Sequence, residues 1–193
     1  MTEDDTGYHI DYWVTPEYMQ ACENIFNMID AYLPEPPKRI LDIGCGFAYV
    51  SELFQKKYGC ELYLLDGDVS STPDATRKGK FGEVSSFQFY LPVERLQEHW
   101  TSKGIKYTFV DANDISIADD VQFDLVYSWI SCGFHYPLST YKELIKKHTD
   151  ANSKIIMDFR RKALSSQMKD MNIVFRLEGN DTTKKQKLHI TLT

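Results

Sequence analysis

Apolar and polar positions follow two alternating periods along this chain of 193 residues. Met19, Cys22, Ile25, Phe26, Ile29 and Leu33 recur at helical spacing, which predicts an amphipathic helix over residues 16–32. Thr15-Pro16-Glu17 marks its start, with a hydroxyl cap, a proline in the first turn and an acid at the positive end of the dipole. Pro34, Pro36 and Pro37 end it. From Ile40 onward, short apolar runs predict strands over 39–43, 61–66, 106–110, 123–129 and 154–159. Helical patterns fall between them: 47–57; 92–103, with Val93, Leu96 and Trp100 closed by Gly104; and 138–148, with Tyr141, Leu144 and Ile145 on one face. A short helix near 163–170 follows the last of these strands. Strands alternating with helices imply a parallel sheet covered on both faces. Two further runs, 172–178 and 186–192, flank the polar GNDTTKK and suit an antiparallel C-terminal hairpin. The expected fold class is therefore α/β: an open, doubly wound, mostly parallel sheet ending in that hairpin.

The length suits one domain, 1–193. Residues 1–38 form an aromatic segment (Tyr8, His9, Tyr12, Trp13) and the first helix, and 39–193 form the α/β core. The segment 67–91 is rich in Gly, Ser and charge, where a connection of about 2–6 residues is usual. Such a loop in a compact domain reads as a lid or a binding loop. An apolar fraction of 42% with 26% charged residues is that of a globular protein. The formal charge of −6 argues against a general nucleic-acid binder, which needs a basic footprint. The local basic groups Arg77, Lys78, Lys80 and Lys184, Lys185, Lys187 read as solvated loops.

The acidic MTEDDTG start is not a targeting peptide, and no apolar run approaches the ~20 residues of a membrane span. Cys22, Cys45, Cys60 and Cys132 lack CxxC or zinc-type spacing, so we expect no metal site and packed thiols in a reducing, cytoplasmic setting.

The chemistry concentrates at RILDIGCG, residues 39–46, followed by the second strand ELYLLD. Strand, glycine turn, helix, strand and acid in that order build a nucleoside-type pocket at the carboxyl end of a parallel sheet. Gly44 and Gly46 taken alone serve any tight turn. Asp42, just before them, would repel a pyrophosphate and favours a ligand that is neutral or cationic at that end. Asp66 is placed to accept both hydroxyls of a ribose. After the third strand, Asp111 in VDAND is placed to accept from an exocyclic amine, with the Ala112 N–H facing a ring nitrogen. These demands converge on an adenosine that carries positive charge and no phosphate.

ILDIGCGFA, LLDGD, VDAND and FDLVYSWISCGFHYP, in this order over residues 39–160, resemble the class I S-adenosylmethionine-dependent methyltransferases. The resemblance implies a Rossmann-like fold with S-adenosyl-L-methionine as cofactor. It places Asp42, Gly44, Cys45 and Gly46 at the methionine moiety and ribose, Asp66 at the ribose hydroxyls, and Asp111 with Ala112 at adenine. Phe47, Gly67, Ser128 and Trp129 flank these positions and complete the cofactor-binding set. The third glycine of the family's turn is Ala48 here.

The segment SWISCGFHYP, 128–137, has neither [DNS]PP[YF] nor Pro-Cys, the marks of the nucleic-acid amino and cytosine-C5 enzymes. Cys132 therefore reads as a packed small residue. His135 reads either as a general base for an acceptor hydroxyl or as a residue packed before the next helix. Trp129, Phe134 and Tyr136 would exclude water around it. GFHYPLSTY together with the GKFGE loop resembles small methyltransferases of sugar hydroxyls, including ones from phage and bacterial polysaccharide clusters. The expected function is methyl transfer to a small-molecule acceptor at a hydroxyl, a sugar being one class. The alternatives are a catalytically silent cofactor- or partner-binding subunit of the same fold and, third, a nucleic-acid methyltransferase. The 172–192 edge leaves pairing between subunits open.

Overall fold

A computed structural model describes residues 13–68, 91–160, 171–178 and 185–192. Helix α1 (Pro16–Tyr32) begins where the cap and proline place it, with Thr15 Oγ1 accepting the Tyr18 N–H at 3.2 Å. Its Cys22, Ile25, Phe26 and Ile29 are buried. Strands β1 (Arg39–Ile43) and β2 (Glu61–Asp66) follow, with helix α2 (Tyr49–Tyr58) between them. Next come α3 (Val93–Ser102), β3 (Tyr107–Asp111), β4 (Leu125–Ser128), α4 (Lys142–Lys147), β5 (Lys154–Arg160), β6 (Met171–Glu178) and β7 (Lys185–Leu192).

The sheet order is β3-β2-β1-β4-β5-β7-β6. Strands β3, β2, β1, β4 and β5 run parallel, whereas β7 lies antiparallel to both β5 and β6. Successive side chains leave opposite faces of each strand, so Ile40, Leu62, Leu64 and Tyr127 join α1, α2 and α3 in one core, while Leu41, Ile43, Leu65 and Val126 join Leu138, Tyr141 and Ile145 in the other. Chain order reverses between β1 and β4, and the crevice at their carboxyl ends is where such sheets take ligands.

Most element bounds lie within two residues of expectation, and three departures have a cause in the backbone. Helix α2 starts at Tyr49 rather than 47, because Ala48 sits at φ 56° and no residue in the left-handed region continues a right-handed helix. β4 ends at Ser128 because Ile130 has φ 51° and turns the chain off the ladder. The helix expected over 138–148 is a 3-10 turn, Leu138–Thr140, then α4, with Tyr141 between them at φ −121°. Buried Leu138 and Tyr141 are three apart, the repeat of a 3-10 turn, whereas Tyr141 and Ile145 are four apart and suit an α-helical one. The helix near 163–170, residues 69–90 of the long loop, and Tyr8, His9 and Tyr12 lie outside the described residues.

Candidate functional site

The chain leaves β1 through a turn that β2 holds in place. Gly44 and Cys45 N–H groups both donate to the Leu65 carbonyl, at 2.7 and 3.2 Å. The Gly46 N–H donates to Asp66 Oδ2 at 2.8 Å, and the Gly67 N–H to Asp66 Oδ1 at 2.8 Å. Trp100, from α3, donates its indole N–H to the Gly46 carbonyl at 3.1 Å. β2 and α3 thus fix the turn between them, and the Gly67 bond orients Asp66.

Beside the turn lies a cavity of about 210 Å³. Asp42, Gly44, Cys45, Gly46 and Asp66 line it from the sheet, and Trp129 and His135 from the segment after β4. Helix α1 contributes Tyr18 and Cys22, and Trp13 comes from just before that helix. Aromatic rings form much of the wall: Tyr18 stacks on Trp129 with centroids 5.4 Å apart and meets Tyr49 edge-on at 5.9 Å. Trp13 stands over Gly46, its ring 3.7 Å from where a side chain on that glycine would begin. No lysine or arginine is among the described residues of the wall.

The electrostatics follow from that enclosure. Asp42 is 4% exposed, and its Oδ2 accepts the Ser51 hydroxyl at 2.8 Å and the Tyr127 hydroxyl at 2.7 Å. Burial pushes its carboxyl up to about 7, against those two hydrogen bonds and with help from nearby Asp66. Asp66 is pushed up to about 6 for the same first reason, while the Gly46 and Gly67 N–H groups pull the other way. Neither carboxyl has a basic partner in the described wall of the cavity. Burial also lowers the His135 imidazole to about 4, so the ring is neutral near pH 7. The Cys132 thiol is pushed up by burial, which removes it as a nucleophile.

Several expected contacts go elsewhere. The Ala112 N–H, expected to face a ring nitrogen, donates to the Asp66 carbonyl at 2.9 Å, because the β2–β3 ladder runs on past its last paired residues. Asp111 accepts the Asn113 N–H at 2.8 Å and is not on the cavity wall. Ser128 is buried as a brace: its hydroxyl donates to the Ile43 carbonyl and accepts the Cys132 N–H, both at 2.8 Å. Phe47 packs edge-on against His99 at 4.7 Å in the core, and Gly67 is buried beneath Asp66. Gly44 makes room for protein: a Cβ there would stand 1.8 Å from Ser131 Oγ, which in turn lies 2.6 Å from the Tyr136 hydroxyl. Of the turn's two glycines, Gly46 is the one whose missing side chain leaves space on the cavity side.

Reading the sequence missed Tyr18, Cys22, Tyr49, Tyr127 and Ser131 on this wall. Tyr18 and Cys22 are four apart on α1 and share a face, Cys22 buried and Tyr18 half-buried, and that spacing does not say against what they pack.

No family model and no curated protein matches the sequence. Solved structures do. The PH0226 protein of Pyrococcus horikoshii is 14% identical with a TM-score of 0.61, over 95% of this chain and 98% of that one. A methyltransferase from Pyrococcus furiosus is 14% identical with a TM-score of 0.58, over 88% and 81%. The plantazolicin methyltransferase BpumL, solved with a pentazolic desmethylPZN analog and SAH, is 18% identical with a TM-score of 0.51, over 81% and 52%. At such identities the likeness is one of architecture, and the architecture of this chain is the Rossmann-like methyltransferase fold.

Proposed function

We propose that this protein binds S-adenosylmethionine and transfers its methyl group to a hydroxyl of a small-molecule acceptor, sugars being the first class to try. The observation that carries the reading is the pair Asp42 and Asp66, buried in an aromatic-walled cavity beside the Gly44–Gly46 turn. Both are charge-starved there, and a sulfonium nucleoside supplies positive charge without phosphate. That BpumL was solved with SAH on the same fold supports the choice of ligand.

The described residues divide the work by position. Asp42 has Oδ2 committed to Ser51 and Tyr127, which orients the carboxylate and leaves Oδ1 for the cavity. Asp66 keeps lone pairs beyond those taken by Gly46 and Gly67, enough to accept from ribose hydroxyls. Tyr18, Trp129 and Trp13 wall the cavity with aromatic rings, which keep water out and favour a cation beside them. When bound, S-adenosylmethionine supplies an electrophilic methyl group on positively charged sulfur. His135, neutral because it is buried, accepts the hydrogen bond of the acceptor hydroxyl and takes its proton as the oxygen is methylated. An imidazole this weakly basic contributes by orienting the hydroxyl as much as by removing its proton.

The test is isothermal calorimetry with S-adenosylhomocysteine, then transfer of labelled methyl from S-adenosylmethionine to a panel of sugars. Micromolar binding lost on Asp66→Ala, with label on a neutral sugar, is the expected result. Absence of binding by both cofactor forms would end the reading.

A further inference from the structure

Asp158, on β5, touches the 129–136 segment at two points. Its Oδ2 accepts the Ile130 N–H at 2.9 Å, and its carbonyl oxygen stands 2.6 Å from where a side chain on Gly133 would begin. The bond is made in the interior, Asp158 being 1% exposed, where the low local dielectric strengthens a hydrogen bond.

Ile130 is the reason such a hold is needed. It has φ 51°, a left-handed backbone that costs an L-residue about 1–2 kcal/mol and that β-branched residues almost never adopt. Strain of this kind persists only where surrounding contacts over-determine it, and it gathers at working sites. Ile130 lines the cavity. The next residue anchors the rest of the turn: the Ser131 carbonyl accepts the His135 N–H at 2.8 Å and the Phe134 N–H at 3.1 Å. The Gly133 N–H closes the turn on the Tyr136 carbonyl at 2.7 Å. A continuous set of bonds thus leads from Asp158 through Ile130 and Ser131 to the backbone of His135.

We propose that Asp158 is a positioning residue, which holds Ile130 in its left-handed conformation and so fixes the turn that presents His135 to the acceptor. The proposal rests on the methyl-transfer reading for its purpose, and its physical content can be tested without an acceptor. Released from Asp158, Ile130 would relax to negative φ, turning the Ser131 carbonyl and carrying the imidazole out of its buried seat. Replacing Ile130 by glycine removes the strain, so the turn would then stand without the carboxylate.

The experiment follows the His135 ring by NMR across pH in the full chain, its signal assigned by absence in His135→Gln. Wild type is compared with Asp158→Asn, Asp158→Ala, Ile130→Gly and the double variant Asp158→Ala/Ile130→Gly. Asp158→Asn, whose amide oxygen accepts the same bond, should leave the titration where it is. Asp158→Ala should raise it toward the ordinary imidazole value by about one unit or more, a tenfold change in proton affinity. The double variant should return it toward wild type. An unmoved His135 in folded Asp158→Ala, or an equal shift with Ile130→Gly in place, overturns the proposal. If Asp158→Ala does not fold, the double variant decides: a folded protein with His135 still buried supports the proposal, and a second failure to fold overturns it. Calorimetry with S-adenosylhomocysteine on the same samples separates the two ideas, since loss of binding by wild type would remove the methyl-transfer reading and leave the titrations readable.

Discussion

Asp66 Oδ2 accepts the Gly46 N–H at 2.8 Å, so the acid that closes β2 also clamps the glycine turn that leaves β1. One residue thereby serves both the shape of the site and its charge. Asp66→Ala frees the Gly46 and Gly67 N–H groups and should cost about 1–3 kcal/mol of stability. Asp66→Asn keeps an acceptor oxygen and should cost less than about 1 kcal/mol, yet weaken cofactor binding about tenfold or more. Thermal unfolding beside calorimetry checks this, and equal stability losses in the two variants would contradict the clamp.

The raised carboxyls make the free protein sensitive to pH. Between about 4 and about 7 the folded Asp42 holds a proton that the unfolded chain has already lost, so its contribution to stability falls as pH rises. His135 works in the opposite sense: the unfolded chain takes a proton below its ordinary value while the folded ring resists until about 4, so stability falls as pH drops through that window. Comparing Asp42→Asn with wild type cancels the histidine. The variant should gain stability relative to wild type steadily from pH 4 to pH 7 in urea unfolding; a flat difference would mean that Asp42 is charged and satisfied without ligand.

The same carboxyls should link binding to protons. A cationic ligand favours their ionised forms, so S-adenosylmethionine affinity should rise with pH from 5 to 8 and level off above the value of about 7 reached by Asp42. Calorimetry in two buffers of different ionisation enthalpy should report proton release near pH 6. Proton uptake there would contradict the proposed electrostatics.

The two glycines of the turn should fail differently. A side chain at Gly44, φ 72°, runs into Ser131 and its bond to Tyr136, so Gly44→Ala should cost about 2–5 kcal/mol from strain and overpacking together. At Gly46, φ 49°, the new methyl meets only the Trp13 ring, and Gly46→Ala should cost about 1–2 kcal/mol. Its larger effect should appear in ligand affinity. Chemical denaturation and calorimetry on both variants distinguish the cases.

His135→Ala should spare S-adenosylhomocysteine binding and lower methyl transfer by about 10²–10⁴-fold once an acceptor is in hand. Since burial keeps the ring neutral down to about 4, wild-type turnover should show no imidazole limb near 6.5. Full turnover in the variant would remove the base role.

Much of this site was legible because strands announce themselves. Ile40, Leu41 and Ile43 are buried on both faces of a central parallel strand, so the run had to be continuous, and Asp42 within it stood out. Asp66 was legible for a similar reason, as the acid at which an apolar run stops. Ala112 was misread because its N–H belongs to a ladder that continues beyond the strand, which only the β2–β3 register reveals. Ser128 was misread because a hydroxyl at a strand end looks the same whether it meets a ligand or braces its own chain. Tyr18 and Cys22 were silent: helical spacing marks Cys22 as buried and does not mark Tyr18, and only the docking of α1 over the β1 turn shows that both wall a cavity. Ile130 carries no sequence signal at all, since nothing about isoleucine suggests a left-handed backbone.

The most direct measurement is a calorimetric titration of the wild-type chain at pH 8 with S-adenosylmethionine, S-adenosylhomocysteine, ATP and NAD in parallel. A nucleoside without phosphate, held at Asp42 and Asp66, predicts micromolar binding of the first two, lost on Asp66→Ala, and no heat from either pyrophosphate compound. Tight ATP or NAD binding, with silence from both methionine nucleosides, would contradict the account at its root.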